Sequence, residues 1–145
     1  MTRPAFTRRL RSDPRELELL LPALSAFLAQ HDVEATVTYV VELTAEELLL
    51  NVMKHAYHGD ATRVVGLHIE LMSSSEATLE VDDDGEPFDP RQLPGPDFDD
   101  ILHGERVGGL GVHLVRSLAA SLDYERIDNR NHVRVRVLPL VTPGS

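Results

Sequence analysis

Residues 34–57 read EATVTYVVELTAEELLLNVMKHAY, and this stretch decides the fold because it predicts one long helix with a buried face. Its apolar residues recur at steps of three and four, which is the spacing of an α-helix. The helix is expected to end at the turn residues Gly59-Asp60. The stripe that should face the core consists of Val37, Val41, Ala45, Leu48, Val52 and Ala56.

The segment before this helix predicts a short strand over residues 6–10 and a first helix over residues 12–30. The helix start at Ser12-Asp-Pro-Arg offers a side-chain oxygen as a cap and places Pro14 in the first turn. Pro22 lies inside the helix and predicts a kink or an early break, because proline has no N–H to donate.

The remainder of the chain predicts two hairpins, from runs of β-forming residues separated by turn residues. The first hairpin pairs residues 64–72 with 77–81, and the second pairs 124–127 with 132–137 across Asp128-Asn-Arg-Asn131. A third helix follows the glycines that precede the second hairpin. The order βααββ–loop–αββ predicts an α+β sandwich with three helices on one face of a mainly antiparallel, mixed sheet.

The composition limits the possible classes of protein. At 145 residues, the chain is expected to form one domain, residues 1–145. It contains no cysteine, which excludes disulfides and thiolate metal sites and fits a cytoplasmic protein. The formal net charge of −10 argues against direct binding to nucleic acid. We expect neither a membrane helix nor a signal peptide, because no apolar run approaches roughly 20 residues.

Glu47 and Asn51 form the first candidate site, because residues four apart lie on the same face of a helix. An asparagine oxygen is a hard ligand suited to Mg²⁺, and a neighbouring carboxylate can orient or deprotonate a hydroxyl. The alternative is a solvated helix surface, which most Glu and Asn residues at this spacing occupy. His55, one further turn along, is expected to cap or pack at the helix end rather than bind zinc.

Asp82-Asp83-Asp84 followed by Gly85 forms the second candidate site, at the end of a predicted strand. Three adjacent carboxylates repel one another, so neighbouring groups should compensate their charges. A buried aspartate that accepts a proton from an adenine amino group is one use of such a carboxylate, and Gly85 would let the backbone approach the base. The alternative is an ordinary charged turn.

The third candidate site is the glycine-rich stretch Gly108-Gly109-Leu110-Gly111, where a helix begins. Free N–H groups and the helix dipole make such a start an anion site. Arg106, two residues earlier, adds a cation that can contact a phosphate through two N–H groups. The connection before these glycines, residues 91–107, is rich in turn residues and is expected to form a lid.

These stretches resemble the N, G1 and G2 boxes of the GHKL ATPases, and most of all the branch of anti-sigma-factor serine/threonine kinases. The resemblance covers the chain from about Phe6 to Val137. The boxes span residues 47–57, 83–90 and 108–111. The residues that carry it are Glu47-x-x-x-Asn51-x-x-x-His55-Ala-Tyr57, Asp83-x-Gly85-x-Pro87-Phe-Asp-Pro90 and Arg106-x-Gly-Gly-Leu-Gly111.

The resemblance implies the Bergerat ATP-binding fold with ATP and Mg²⁺ as cofactors. It implies that Glu47 is the general base, Asn51 the Mg²⁺ ligand and Asp83 the acceptor for the adenine amino group. It also implies that Arg106 approaches the γ-phosphate. The other residues that would line the nucleotide site are His55, Gly85, Pro87, Gly108, Gly109, Leu110 and Gly111. Pro87 departs from the pattern, because it stands where the G1 box usually has a second glycine.

The family resemblance also implies partners and leaves three interpretations open. A kinase of this branch would phosphorylate a STAS-like anti-anti-sigma protein, sequester a sigma factor and form a homodimer. A nucleotide-gated sequestering module with little phosphotransfer is the alternative, although retention of Glu47 counts against it because binding alone needs no base. The ATP domain of a histidine kinase is a third interpretation. The absence of a predicted dimerisation helix carrying a phospho-acceptor histidine counts against it.

Overall fold

The computed structural model describes residues 2–94 and 110–141, and for Leu110 only the backbone. Within these ranges a layer of helices covers one face of a five-stranded sheet. The elements in chain order are β1 (Ala5–Arg11), α1 (Arg15–Gln30), α2 (Ala35–Asn51), a π-helical turn (Val52–Ala56), β2 (Val64–Ser73), β3 (Glu76–Asp83), a 3-10 turn (Pro90–Gln92), α3 (Leu110–Leu118), β4 (Ser121–Ile127) and β5 (Arg130–Val137).

The sheet has the strand order β1-β2-β3-β5-β4. The α+β sandwich predicted from the sequence is confirmed. The sheet was expected to be mixed, but all four strand pairings among the described residues are antiparallel. The reason is that α3 returns the chain to the sheet edge as β4, and β5 then turns back to fill the place beside β3.

The core lies between the helices and the inner face of the sheet. All six residues of the predicted helical stripe are buried, as the spacing of three and four requires. The inner face of β3 continues this core through Ala77, Leu79 and Val81, which alternate with more exposed residues. The same alternation puts Asp83, the last residue of β3, on the buried face.

The first helix differs from the prediction at both its start and its middle. It begins at Arg15, and Pro14 is the residue before the helix rather than part of its first turn. The cap-like bond comes from Asp13, whose Oδ1 accepts the N–H of Arg15 at 3.0 Å. The expected early break at Pro22 does not occur, because the helix continues to Gln30. Pro22 lies on the exposed side, where water can solvate the carbonyl that loses its N–H partner.

The second hairpin turns more tightly than predicted. Asp128 and Asn129 have φ angles of 50° and 62°, the positive values that a two-residue hairpin turn requires. β5 therefore begins at Arg130, two residues earlier than predicted, while β4 ends at Ile127 as predicted. Asn131, which was expected in the turn, lies within β5 directly opposite Asp83 of β3.

Candidate functional site

Asp83 is the buried carboxylate at the centre of the candidate site, with only 2% of its surface exposed. Its Oδ1 accepts the backbone N–H of Gly85 at 2.9 Å and the Nδ2 of Asn131 at 2.8 Å. Burial raises the pKa of Asp83, and these two hydrogen bonds oppose that rise. Because both bonds go to Oδ1, Oδ2 accepts no hydrogen bond from the described part of the chain and can accept one from a ligand.

The two neighbouring carboxylates are compensated separately, as the sequence predicts for three adjacent aspartates. Asp82 points to the outer face and pairs with Arg130. Asp84 pairs with Arg63 at 2.8 Å, and that hydrogen bond holds the pKa of Asp84 below its usual value. Asp83 has no such ion pair among the described residues. It therefore combines burial with a second oxygen, Oδ2, that accepts no hydrogen bond from residues 2–94 or 110–141.

A small cavity joins Asp83 to the second helix. Its volume of about 10 Å³ is close to that of a single water site. The Nδ2 atom of Asn51 is buried and has no hydrogen-bond partner among the described residues. A buried amide without a partner is costly and indicates a place for a ligand or a solvent molecule. The cavity is lined by Leu48, Asn51, Val52, Val81, Asp83, Phe88, Pro90 and Val133.

Glu47 lies one turn before Asn51 and faces the start of α3. A Cβ atom built on Gly111 would lie 1.9 Å from Cδ and Oε2 of Glu47. The glycine therefore makes room for the carboxylate at the first turn of α3. That turn carries backbone N–H groups that the helix itself cannot bond. The structure thus brings together two residues that are 64 positions apart in the sequence.

The end of the second helix packs against the turn that follows Asp83. The His55 ring stacks on Phe88 with the ring centroids 4.7 Å apart. Burial lowers the pKa of His55, helped by the charges of Lys54 and His58. The expectation that His55 packs at the helix end is thus met, and its ring covers Phe88, which lines the cavity.

Tyr57 fixes the same turn from the other side. Its hydroxyl lies 2.5 Å from the carbonyl oxygen of Val64 and 2.9 Å from Oδ1 of Asp84, both of which can accept its proton. The hydroxyl in turn accepts the N–H of Asp84 at 3.1 Å. Burial raises the pKa of Tyr57 to about 12, so the phenol stays neutral at physiological pH.

Gly85 is required for packing against the helix end. A Cβ atom on Gly85 would lie 2.5 Å from the carbonyl oxygen of Ala56. That carbonyl accepts the N–H of Glu86 at 3.1 Å, which ties the turn to the helix. The space that Gly85 leaves open, which was expected to admit the base, is therefore filled by the backbone of the N box.

Pro87 lies apart from the cavity beside Asn51. It is exposed and lines a separate, open cleft of about 430 Å³. Gly85 also lines that cleft, together with Tyr57 and Arg126. Pro87 was predicted to bind the nucleotide, but the structure does not bring its side chain to the cavity that holds Asn51 and Asp83.

Asn131 is a buried polar residue that was not among the predicted site residues. It is 1% exposed and lies beside Asp83 on the inner face of the sheet. The available signal was the alternation in Asn131-x-Val133-x-Val135-x-Val137, which places a polar residue in line with three buried valines. That signal was lost when Asn131 was assigned to the turn.

Several predicted residues lie outside the described ranges. These are Arg106, Gly108 and Gly109, together with most of the expected lid over residues 91–107. The start of that segment is described, and there the carbonyl of Arg91 accepts Arg116 Nη1 of α3 at 3.0 Å. The prediction for the remaining residues stays a prediction.

The comparison with protein families identifies the class of this chain. A model of the histidine kinase-like ATPase domain matches residues 10–137, which is most of the sequence. The chain therefore belongs to the histidine kinase-like ATPase domain family, and the predicted resemblance to the GHKL ATPases is confirmed. ATP, the nucleotide of an ATPase domain, fits the buried acceptor Asp83 and the Nδ2 donor of Asn51, which has no partner among the described residues.

The similarity extends to one characterised branch of this family. The chain is 30% identical over 100 residues to the serine/threonine-protein kinase BtrW of Bordetella bronchiseptica, a match that covers 68% of this chain and 69% of BtrW. The resemblance to the serine/threonine kinase branch, which was predicted from the box residues, is thus supported by this match over 100 residues.

Solved structures share the fold. The RsbU and RsbW domains of a Mycobacterium tuberculosis protein match with a TM-score of 0.61 at 13% identity, over 96% of this chain and 35% of that one. The histidine kinase domain of a blue-light-activated kinase from Erythrobacter litoralis matches with a TM-score of 0.53 at 19% identity, over 89% and 61%. This chain thus spans about a third and three fifths of these proteins. No helix within the described residues is long and apolar enough to cross a bilayer.

Proposed function

We propose that this protein is an ATP-dependent serine/threonine kinase of the anti-sigma-factor type. The observation that carries the proposal is the place of the Glu47 carboxylate beside Gly111, at the start of α3. Binding a nucleotide needs no carboxylate at that point, whereas activating a hydroxyl does. The similarity to the serine/threonine-protein kinase BtrW supports the same conclusion.

The adenine would bind at the end of β3. Oδ2 of Asp83 would accept the adenine amino group, while Oδ1 stays bonded to Gly85 and Asn131. Apolar side chains line the small cavity next to Asp83, and because its volume of about 10 Å³ holds only one water, the base would lie against this wall and not inside the cavity. His55 would support this pocket through Phe88, on which it stacks.

The phosphates would lie between the second helix and α3. Asn51 is proposed to hold Mg²⁺ through its amide oxygen, since hard oxygen ligands suit this ion. When bound, Mg²⁺ supplies charge neutralisation of the phosphates. Gly108, Gly109, Leu110 and Gly111 would provide backbone N–H groups, and Arg106 would approach the γ-phosphate.

Glu47 would act as the general base for transfer to a serine or threonine. Its carboxylate would take the hydroxyl proton as the hydroxyl oxygen bonds to the γ-phosphorus. The bond from that phosphorus to the ADP oxygen breaks, and ADP leaves. Such a base contributes about 10²–10⁴-fold to the rate.

The protein substrate is proposed to be a STAS-like anti-anti-sigma protein, and the second partner a sigma factor. Phosphorylation of the antagonist would release this chain to sequester the sigma factor. We further propose that the protein acts in the cytoplasm as a homodimer. Direct contact with nucleic acid is not part of this function, since the net charge is −10.

A phosphotransfer assay tests the proposal. The full chain would be incubated with labelled ATP, with or without Mg²⁺, and with the anti-anti-sigma proteins of its source genome. We expect label on a serine or threonine of one of them, only with Mg²⁺, and little transfer by Asn51→Ala. ATP binding without transfer to any candidate would favour the nucleotide-gated sequestering module instead. No ATP binding would overturn both functions.

A further inference from the structure

We propose that Asn131 is the positioning residue for the nucleotide base: it holds one carboxylate oxygen of Asp83, so that the other carboxylate oxygen is directed to the adenine. The inference rests on the proposed nucleotide site. Asn131 belongs to β5, which contributes none of the residues of the N, G1 or G2 boxes. Its role would therefore extend the site to a fourth segment of the chain.

The hydrogen bonds of Asn131 use every polar position of its amide. Nδ2 donates to Oδ1 of Asp83 at 2.8 Å and to the carbonyl of Glu86 at 2.7 Å. Those two bonds use both of its N–H groups. Oδ1 accepts three donors, which are Tyr124 Oη at 2.6 Å, Arg126 Nη1 at 3.1 Å and the Phe88 N–H at 3.3 Å. Asn131 is therefore saturated and has no donor left for a ligand.

A saturated side chain acts on a ligand through its neighbours. Asn131 bonds the Asp83 carboxylate and the backbone of residues 86 and 88 at once. It therefore holds the acceptor and the turn that carries Phe88 at a fixed separation. Arg126 strengthens the same turn by donating Nη1 to the carbonyl of Gly85 at 2.8 Å.

An amide suits position 131 because its N–H group can donate to the Asp83 carboxylate. Asp83 is buried, and its ionised form needs donors to remain stable. An aspartate at position 131 would have nearly the same shape but would present oxygen to oxygen. The pair would then retain a proton and lose the defined acceptor. The other groups that act on Asp83 are the positive charge of Arg126 and the negative charge of Asp84, with the Tyr57 hydroxyl nearby.

The test compares Asn131→Asp with Tyr124→Phe in the full chain. Tyr124→Phe is the matched control, because it removes one bond to Asn131 Oδ1 but leaves both Nδ2 donors. ATP affinity would be measured by calorimetry between pH 5.5 and pH 8.5, with the urea midpoint of each variant measured alongside. We expect Asn131→Asp to weaken binding by about tenfold or more at neutral pH. Tyr124→Phe should change affinity less than about threefold.

The pH profile separates positioning from general support of the fold. Loss of the Asn131 donor should move the acid limb of ATP binding to higher pH, because Asp83 would then hold its proton more tightly. A structural defect would weaken binding by the same factor at every pH. Asn131→Leu removes the donors without adding a carboxylate and provides the same readout if Asn131→Asp does not fold.

Two outcomes distinguish failure of this inference from failure of the proposed function. If the wild-type chain does not bind ATP, the nucleotide site itself is wrong. If it binds ATP and folded Asn131 variants match its affinity and pH profile, Asn131 is only a buried structural residue.

Discussion

The carboxylate of Glu47 occupies the space that a side chain at position 111 would need. A Cβ on Gly111 would lie 1.9 Å from Oε2 and 2.4 Å from Oε1 of Glu47. Gly111 is therefore needed to leave room for the Glu47 side chain, in addition to the phosphate contact proposed for it. Two boxes that look independent in the sequence are thus sterically coupled.

Gly111→Ala should lower phosphotransfer without destabilising the protein. The new methyl group meets the far end of a flexible side chain, so the clash displaces the Glu47 carboxylate and not the backbone. Alanine also favours a helix over glycine by up to about 1 kcal/mol. We expect an unchanged or slightly raised melting temperature, with kcat reduced by about 10²-fold from the displaced carboxylate. Wild-type turnover by Gly111→Ala would show that the place of the carboxylate is not important.

Gly85→Ala should have the opposite profile and destabilise the protein. Here the added Cβ meets backbone atoms, 2.5 Å from the carbonyl oxygen and 2.9 Å from the carbonyl carbon of Ala56. The helix end or the turn must shift, and overpacking of this kind costs about 1–3 kcal/mol. Thermal unfolding should show a melting temperature several degrees lower than that of Gly111→Ala. Equal melting temperatures for the two variants would contradict the packing role.

The helical and strand patterns were largely predictable because each depends on a local period. The stripe that runs through α2 and the π-helical turn steps by three and four, and all its members are buried. The strands of the two hairpins are longer than predicted, since pairing extends them into residues with polar side chains. Asn131 shows the effect most clearly, because its side chain suggests a turn while its backbone pairs with Asp83.

The sequence predicted which residues belong to the candidate site but not which of them contact one another. Glu47, Asn51 and Asp83 follow from motif and spacing. The contact between Glu47 and Gly111 and that between Gly85 and Ala56 depend on how distant elements pack. The π-helical turn over residues 52–56 likewise lies where the helix end packs against the turn after β3. No local pattern in the sequence encodes these distances.

Asp83→Asn should weaken ATP binding while leaving the fold at least as stable at neutral pH. A charge-assisted hydrogen bond is worth about 1.5–3 kcal/mol, so calorimetry should show at least a tenfold loss of ATP affinity. Burial raises the pKa of Asp83 above its usual 3.8. Between 3.8 and that raised value the folded state binds more protons than the unfolded state, so stability falls as pH rises through this window.

Asparagine at position 83 removes that pH dependence. The stability difference between Asp83→Asn and wild type should therefore shift in favour of the variant as pH rises above about 4 and then level off. Urea unfolding at pH 3.5, 5 and 7 measures this directly. A wild type that gains stability relative to Asp83→Asn over the same range would show that Asp83 is stabilised, not strained, in its ionised form.

Glu47→Gln gives the sharpest separation of a kinase from a binding module. Glutamine keeps the shape of the side chain beside Gly111 but cannot accept the hydroxyl proton. A general base acts in the transition state, so its loss should lower kcat while leaving Mg·ATP affinity nearly unchanged. We expect turnover on the protein substrate to fall by about 10²–10⁴-fold.

Glu46→Gln is the matched control, because Glu46 is adjacent and exposed, and it should behave as wild type. Equal transfer rates for Glu47→Gln and Glu46→Gln would exclude Glu47 as the base, whereas a parallel loss of affinity and turnover would assign Glu47 to nucleotide binding.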